Sequence, residues 1–146
     1  MELSTSRVNL SVELDERGDE HHWILKGHRV TQLLVDLSSF RFQTWSLQAS
    51  AEIRVGVPFQ FIEPDGVRRT IDPEEPQQLG PVLSILGRDI DALTISRAGT
   101  LEVQLSDGSR IVIDSHPRNA AWEIQGAGAM EGMQYLAQPG GGQSWR

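Results

Sequence analysis

The 146-residue chain contains no cysteine, which excludes disulfides, thiolate metal sites and a cysteine nucleophile together. It also lacks any run of 18 consecutive apolar residues, the length that marks a membrane-spanning helix. Its first residues, MELSTSRVNLSVELDERG, have neither the cationic start nor the apolar stretch of a secretion signal. These absences give the expectation of a soluble, cytoplasmic protein without membrane contact. Lysine is nearly missing as well, with Lys26 alone against twelve arginines, and the net charge is −7. General affinity for nucleic acid rests on a basic surface that neutralises phosphates, so nucleic acid is not an expected partner. A basic protein suits this charge better.

The residues that are present describe one β-rich domain. The hydrophobic share is 38% with 14 glycines besides, enough for a chain of this length to bury roughly 68–70% of its unfolded surface. In residues 5–14, Val8, Leu10, Val12 and Leu14 recur at every second position, the period of a half-buried strand, and a charged turn comes next at 15–20. FRFQTW sets Phe40, Phe42 and Thr44 on one face and Arg41, Gln43 and Trp45 on the other; AEIRV turns Ala51, Ile53 and Val55 inward. E-P-D-G at 63–66 punctuates a hairpin. Asp72-Pro73-Glu74-Glu75 predicts a helix start, with an N-cap carboxylate and proline at the first helical position, and Gly80-Pro81 breaks or kinks the helix there. One short helical region is expected over 73–86, closed by Gly87. Strands RDIDALTIS, TLEVQLS and SRIVIDS come next, then AAWEIQ, and the glycine-rich 126–146 either frays or forms a last hairpin around Pro139-Gly140-Gly141.

GHRVTQLLV at 27–35 is echoed by GRDIDALTI at 87–95, and two further strands succeed each in parallel order. The pattern reads as a duplicated three-stranded meander. The expected fold is therefore mainly β (β-rich α+β), an antiparallel sandwich or barrel built from two similar meanders with approximate two-fold symmetry. Residues 26–70 carry a net +2 and residues 71–115 a net −5. If the halves lie on opposite sides, Asp72, Glu74, Glu75, Asp89 and Asp91 form a face for a cationic partner.

Candidate chemistry is sparse. His21 and His22 are neighbours in a strand and so point apart, which with His28 makes a poor metal set. Asp114-Ser115-His116 holds the letters of a hydrolase triad as sequence neighbours, a spacing that cannot converge in nucleophile, base and orienter geometry. Glycine runs near the end lack the P-loop pattern. No catalytic, cofactor-binding or metal residue is assigned, and no cofactor is expected. The candidate interface comprises Glu74, Glu75, Asp89, Asp91, Arg41 and Trp45; tryptophan and arginine are the residue types enriched at hot spots. Trp23, Trp122 and Trp145 sit beside apolar strand residues and are expected in the core.

Glycine-x-x-valine at 27–30, PFQF with the Asp65-Gly66 turn, IDPEEPQQLGPVLSILG, LEVQLSDGSRIVI, HPRNAAWEIQG and QPGGGQSW resemble a family of small bacterial proteins, many actinobacterial, catalogued as a domain of unknown function. The resemblance spans about residues 27–145, leaves 1–26 outside, and implies a compact single domain without supplying an activity. The leading expectation is a non-enzymatic protein-interaction module, in its specific form an immunity-type protein neutralising a cognate toxin. A small-ligand-binding β-barrel is the alternative, and a carboxylate-dependent enzyme the third reading. Self-association through strand edges stays open.

Overall fold

A computed structural model describes residues 12–14, 20–22, 25–47, 49–128 and 130–145. In chain order the strands are β1 (Val12–Leu14), β2 (Glu20–His22), β3 (Arg29–Val35), β4 (Phe40–Ser46), β5 (Ala49–Val55), β6 (Phe59–Ile62) and β7 (Arg68–Ile71). A 3-10 helix (Pro76–Ile85) is next, then β8 (Ile90–Ile95), β9 (Leu101–Leu105), β10 (Arg110–Ile113), β11 (Trp122–Gly128), β12 (Gln134–Ala137) and β13 (Gln143–Trp145). Of the strand expected at 5–14, residues 5–11 lie outside the described residues, as does the charged turn at 15–19.

Two antiparallel sheets share the strands. One has the order β13-β12-β11-β5-β4-β3, the other β1-β2-β8-β9-β10-β6-β7. Period-two alternation explains the packing: Phe40, Phe42, Ile53 and Val55 from the first sheet and Phe59, Phe61, Val103 and Ile111 from the second are buried in one core. Phe40 stacks on Phe59 across the two sheets, ring centres 6.3 Å apart, and lies 6.0 Å from Phe42. Both sheets keep open edges, β3 and β13 in one and β1 and β7 in the other, so the sandwich is realised and the closed barrel is not.

The repeat seen in the sequence is a repeat in space. Gly27 N–H donates to the Ile90 carbonyl and Gly87 N–H to that of Val30, both at 2.8 Å; Val30 N–H donates to Arg88 and Ile90 N–H to His28, again both at 2.8 Å. Each bond is the other's image under a sixty-residue shift, so an approximate two-fold axis passes between Arg29 and Asp89, which form an isolated antiparallel bridge. Both glycines have φ near +85°, at +85° and +84°, a conformation that a Cβ disfavours. Both repeats also carry a β-bulge at the same place, between Val30 and Gln32 and between Ile90 and Ala92.

After its meander each repeat sends a hairpin to the other sheet. β6-β7 comes after β5 in the chain but pairs with β10, through Ile111 opposite Phe61; β11-β12 comes after β10 but pairs with β5, through Ile124 opposite Ile53. The exchange places Arg68 and Arg69, counted in the basic half, in the sheet that carries the acidic meander. Charge separation by repeat is therefore not charge separation by side.

The helical region departs from its expected form. It is 3-10 rather than α-helical and begins at Pro76, with Pro81 inside it, where proline offers no N–H for a continuing ladder. Asp72 Oδ1 accepts the Glu74 N–H at 2.9 Å in a turn ahead of the helix, and Pro73 is buried in that turn. Leu79, Val82 and Ile85 anchor the helix in the core. The glycine-rich end forms the hairpin β12-β13, and Trp122 is buried, its Nε1–H donating to the Gly99 carbonyl at 2.8 Å. Trp23 and the side chain of Trp145 lie outside the described part of the molecule.

Candidate functional site

The outer face of the six-stranded sheet holds two of the six candidate residues together. Strand register builds it in rows. Leu34, Arg41, Arg54, Glu123 and Leu136 stand opposite one another across five strands; Gln32, Gln43, Glu52, Gln125 and Gln134 form the next row; Arg29, Trp45, Ser50 and Ala127 form a third. Side chains within a row share a face because opposite residues of an antiparallel ladder project the same way.

Trp45 is 52% exposed on this face. Alternation places it on the same face as Arg41 and Gln43, and about half of its surface is left open by the described residues. Leu47, in the turn after β4, is 89% exposed and has φ +49°, a left-handed conformation unusual for leucine. Next to Trp45, the small residues Ser50, Gly126 and Ala127 leave a shallow depression of about 230 Å³ rimmed by Gln43, Glu52 and Gln125. Gly126 is required there, since a Cβ would come 2.3 Å from the Met130 carbonyl oxygen.

Arg41 is ion-paired on two sides. Its Nη2 lies 3.2 Å from Asp36 Oδ2 and its Nη1 3.6 Å from Glu52 Oε2, while Gln43 Nε2 donates to the other Glu52 oxygen at 3.1 Å. Its Nε is buried and makes no hydrogen bond. Arg54 sits directly opposite Arg41, a like-charge pair that the two carboxylates around Arg41 offset.

The acidic candidates fall in two places. Glu74 and Glu75 are exposed ahead of the 3-10 helix; Asp89 and Asp91 stand beyond its far end. Asp89 is engaged by Arg29 Nε at 3.1 Å, so its charge is compensated, whereas Asp91 is exposed at the β8 bulge. Asp107, a carboxylate not singled out in the sequence, closes the β9-β10 turn by accepting the Ser109 amide at 3.0 Å and hydroxyl at 2.6 Å. Its partial burial alone favours the neutral acid, but the Ser109 bonds and nearby Arg88 outweigh that and hold its pKa below the ordinary carboxylate value.

The remaining motifs have structural work. His116 Nδ1 accepts the backbone N–H groups of Arg118 and Asn119 at 3.1 and 3.2 Å, fixing the bend at Pro117, and Asp114 accepts from the Thr100 hydroxyl at 3.0 Å. His28 is buried with Nδ1 3.0 Å from Thr44 Oγ1, and desolvation lowers its pKa. Among the described residues no three His, Asp or Glu side chains gather as metal ligands, and no helix is long and apolar enough to cross a membrane.

A sequence profile described as a Family of unknown function (DUF6188) matches residues 21–146. The chain belongs to this family. No curated protein and no solved structure matches it. The DUF6188 match takes in both repeats and the open face, and it starts at His21 within β2, ahead of the glycine at which the resemblance in the sequence begins.

Proposed function

We propose that this DUF6188 domain is a non-enzymatic protein-binding module whose contact surface is the open face of the six-stranded sheet. The observation that carries the reading is the half-exposed Trp45 on the same sheet face as an ion-paired Arg41, next to a dip lined by small residues. Tryptophan supplies large contact area on few rotatable bonds, and a guanidinium already ion-paired with two carboxylates loses less further freedom on binding than a free one. The net charge of −7 steers a basic partner towards the domain, and exposed Glu74, Glu75 and Asp91 contribute to that attraction. An immunity-type role, in which stoichiometric binding neutralises a toxin, is the specific form proposed. Phe40, Phe42, Phe59 and Trp122 are buried in the core between the sheets.

The test is affinity purification of the tagged full chain from its native host, run beside a Trp45→Ala variant that circular dichroism shows to be folded. A near-equimolar partner recovered by the parent and lost by the variant is expected. A partner retained equally by both removes the open face from the account.

A further inference from the structure

The two sheets end in edges of opposite character. β7, at one edge, shows the exposed side chains of Arg68 and Arg69, and charge on an edge strand discourages pairing with another chain. β3, at an edge of the other sheet, exchanges backbone hydrogen bonds at its start, where Val30 pairs with Gly87 and Arg88, and is paired with no further strand among the described residues besides β4. From Gln32 to Asp36 the edge carries no cation, three apolar residues in succession, and one carboxylate at its end. Val35 lies opposite the buried Phe40 and so on the core side of the sheet, yet it is 50% exposed; Leu37 beyond it is 96% exposed. The core opens to the outside along this edge.

We propose that β3 is a pairing edge for a second copy of this chain, joined antiparallel about a two-fold axis through Leu34. The free stretch has Leu34 at its centre. Pairing about that residue sets Leu33 opposite Val35 of the second copy, Gln32 opposite its Asp36, and Leu34 opposite its Leu34. Every pair then matches in face and in chemistry. Leu33 and Val35 stand across from Phe42 and Phe40 on the core side, whereas Gln32 and Leu34 stand across from Gln43 and Arg41 on the outside. Asp36 reaches Arg41 on that same outer face, where the Gln32 amide of the other copy can donate to its carboxylate. A slip of one residue would set core-side positions against outward ones. Moving the axis to Val35 puts Asp36 against Leu34, and moving it to Leu33 runs the pairing into the stretch that Arg88 covers. The two six-stranded sheets would merge into one continuous sheet, with the apolar side chains at each edge closing the other's core.

A ladder of five residues buries less than the roughly 1,200 Å² of a standard interface, so the dimer is a transient one with a dissociation constant on the order of 100 µM. Sedimentation velocity from the low micromolar to the millimolar range should show the mass rising towards two copies. Leu34→Lys sets two lysines against each other on the axis and should weaken the dimer at least about tenfold. The absence of native cysteine allows a second readout. Leu34→Cys should cross-link to itself under oxidised glutathione, because directly opposite residues have Cα atoms about 4.5–5.5 Å apart. Gln32→Cys should form no cross-link alone and cross-link only when mixed with Asp36→Cys. Trp45→Ala, on the sheet face rather than the edge, should leave the dimer intact, which separates this inference from the proposed binding face. A monomer at all concentrations with no preferential cross-linking at position 34 overturns the proposal. So does a dimer of parental strength in Leu34→Lys, or capture of an unrelated strand at β3 by a chain that does not self-associate.

Discussion

Arg29 and Asp89 hold equivalent positions in the two repeats and meet on the axis that relates them, Nε to Oδ1 at 3.1 Å. Identical repeats would place one residue type against itself there, and any charge would repel its own image. Divergence into arginine and aspartate turns the contact into an attraction. Because the side chains are 64% and 44% exposed, solvent screening limits the pair to about 0.2–1 kcal/mol. Asp89→Arg should destabilise the chain by about 1 kcal/mol, and adding Arg29→Asp should recover most of that loss. Urea denaturation of the four proteins of the cycle measures the coupling, and a coupling near zero would mean that the backbone bridge alone holds the junction.

Gly99 is fixed by two constraints at once. Its φ is +92°, and a Cβ would come 2.2 Å from the Gly142 carbonyl oxygen, which belongs to backbone that cannot swing aside like a side-chain tip. The same residue's carbonyl accepts the Trp122 indole N–H. Gly99→Ala should cost more than about 2 kcal/mol, above the roughly 1–2 kcal/mol that an L-residue costs in a left-handed conformation alone. Gly132→Ala, at φ +90° with open space around it, is the control for strain without a clash and should cost less. Equal melting points for the two variants would contradict the packing of the β12-β13 turn on the β8-β9 turn.

Burial holds the His28 imidazole below its ordinary pKa of 6.5. The Thr44 hydroxyl donates to the Ala51 carbonyl at 3.4 Å, which leaves its oxygen to accept from His28 Nδ1. Between the lowered value and 6.5 the unfolded chain binds a proton that the folded chain refuses. Stability is therefore full above about pH 6.5 and falls as pH drops through that window, by at most about 1.4 kcal/mol per pH unit. Asp107 titrates below the ordinary carboxylate range, outside this window. His28→Gln should lose stability at pH 7.5 but show a shallower decline between pH 6.5 and 5 than the parent, measured by urea midpoints. Parallel declines would assign the pH response to other groups.

Strand faces were legible wherever one side is buried: the inward set Phe40, Phe42, Thr44, Ala51, Ile53 and Val55 comes from period two alone. The repeat was legible because Gly27 and Gly87 both need positive φ and both precede a bulged strand. The exchange of hairpins between sheets was not, since alternation reports which residues are buried and never which strand pairs with which. Asp72 misled for a local reason: its carboxylate satisfies an N–H in a turn before the helix instead of one within it. His28 was weighed only as a metal ligand, although its place between Leu25 and Val30 was the available sign of burial. For the site, alternation gave the face that Trp45 occupies; whether another layer covers that face is a tertiary fact absent from local pattern.

That exposure makes a sharp prediction for Trp45. A tryptophan half in solvent on an uncovered sheet face gives up only its covered half on truncation, so Trp45→Ala should lower stability by about 1–2 kcal/mol, less than emptying a core site would cost. An anchor at an interface behaves otherwise: truncating it should weaken the partner by about 2 kcal/mol or more, roughly thirtyfold in the dissociation constant. Arg41→Ala differs in kind, because it frees Asp36 and Glu52 from their shared cation and should lower both stability and affinity. Calorimetric binding alongside thermal unfolding for both variants separates the roles. A Trp45→Ala protein that binds with the parent's affinity would take the residue out of the contact.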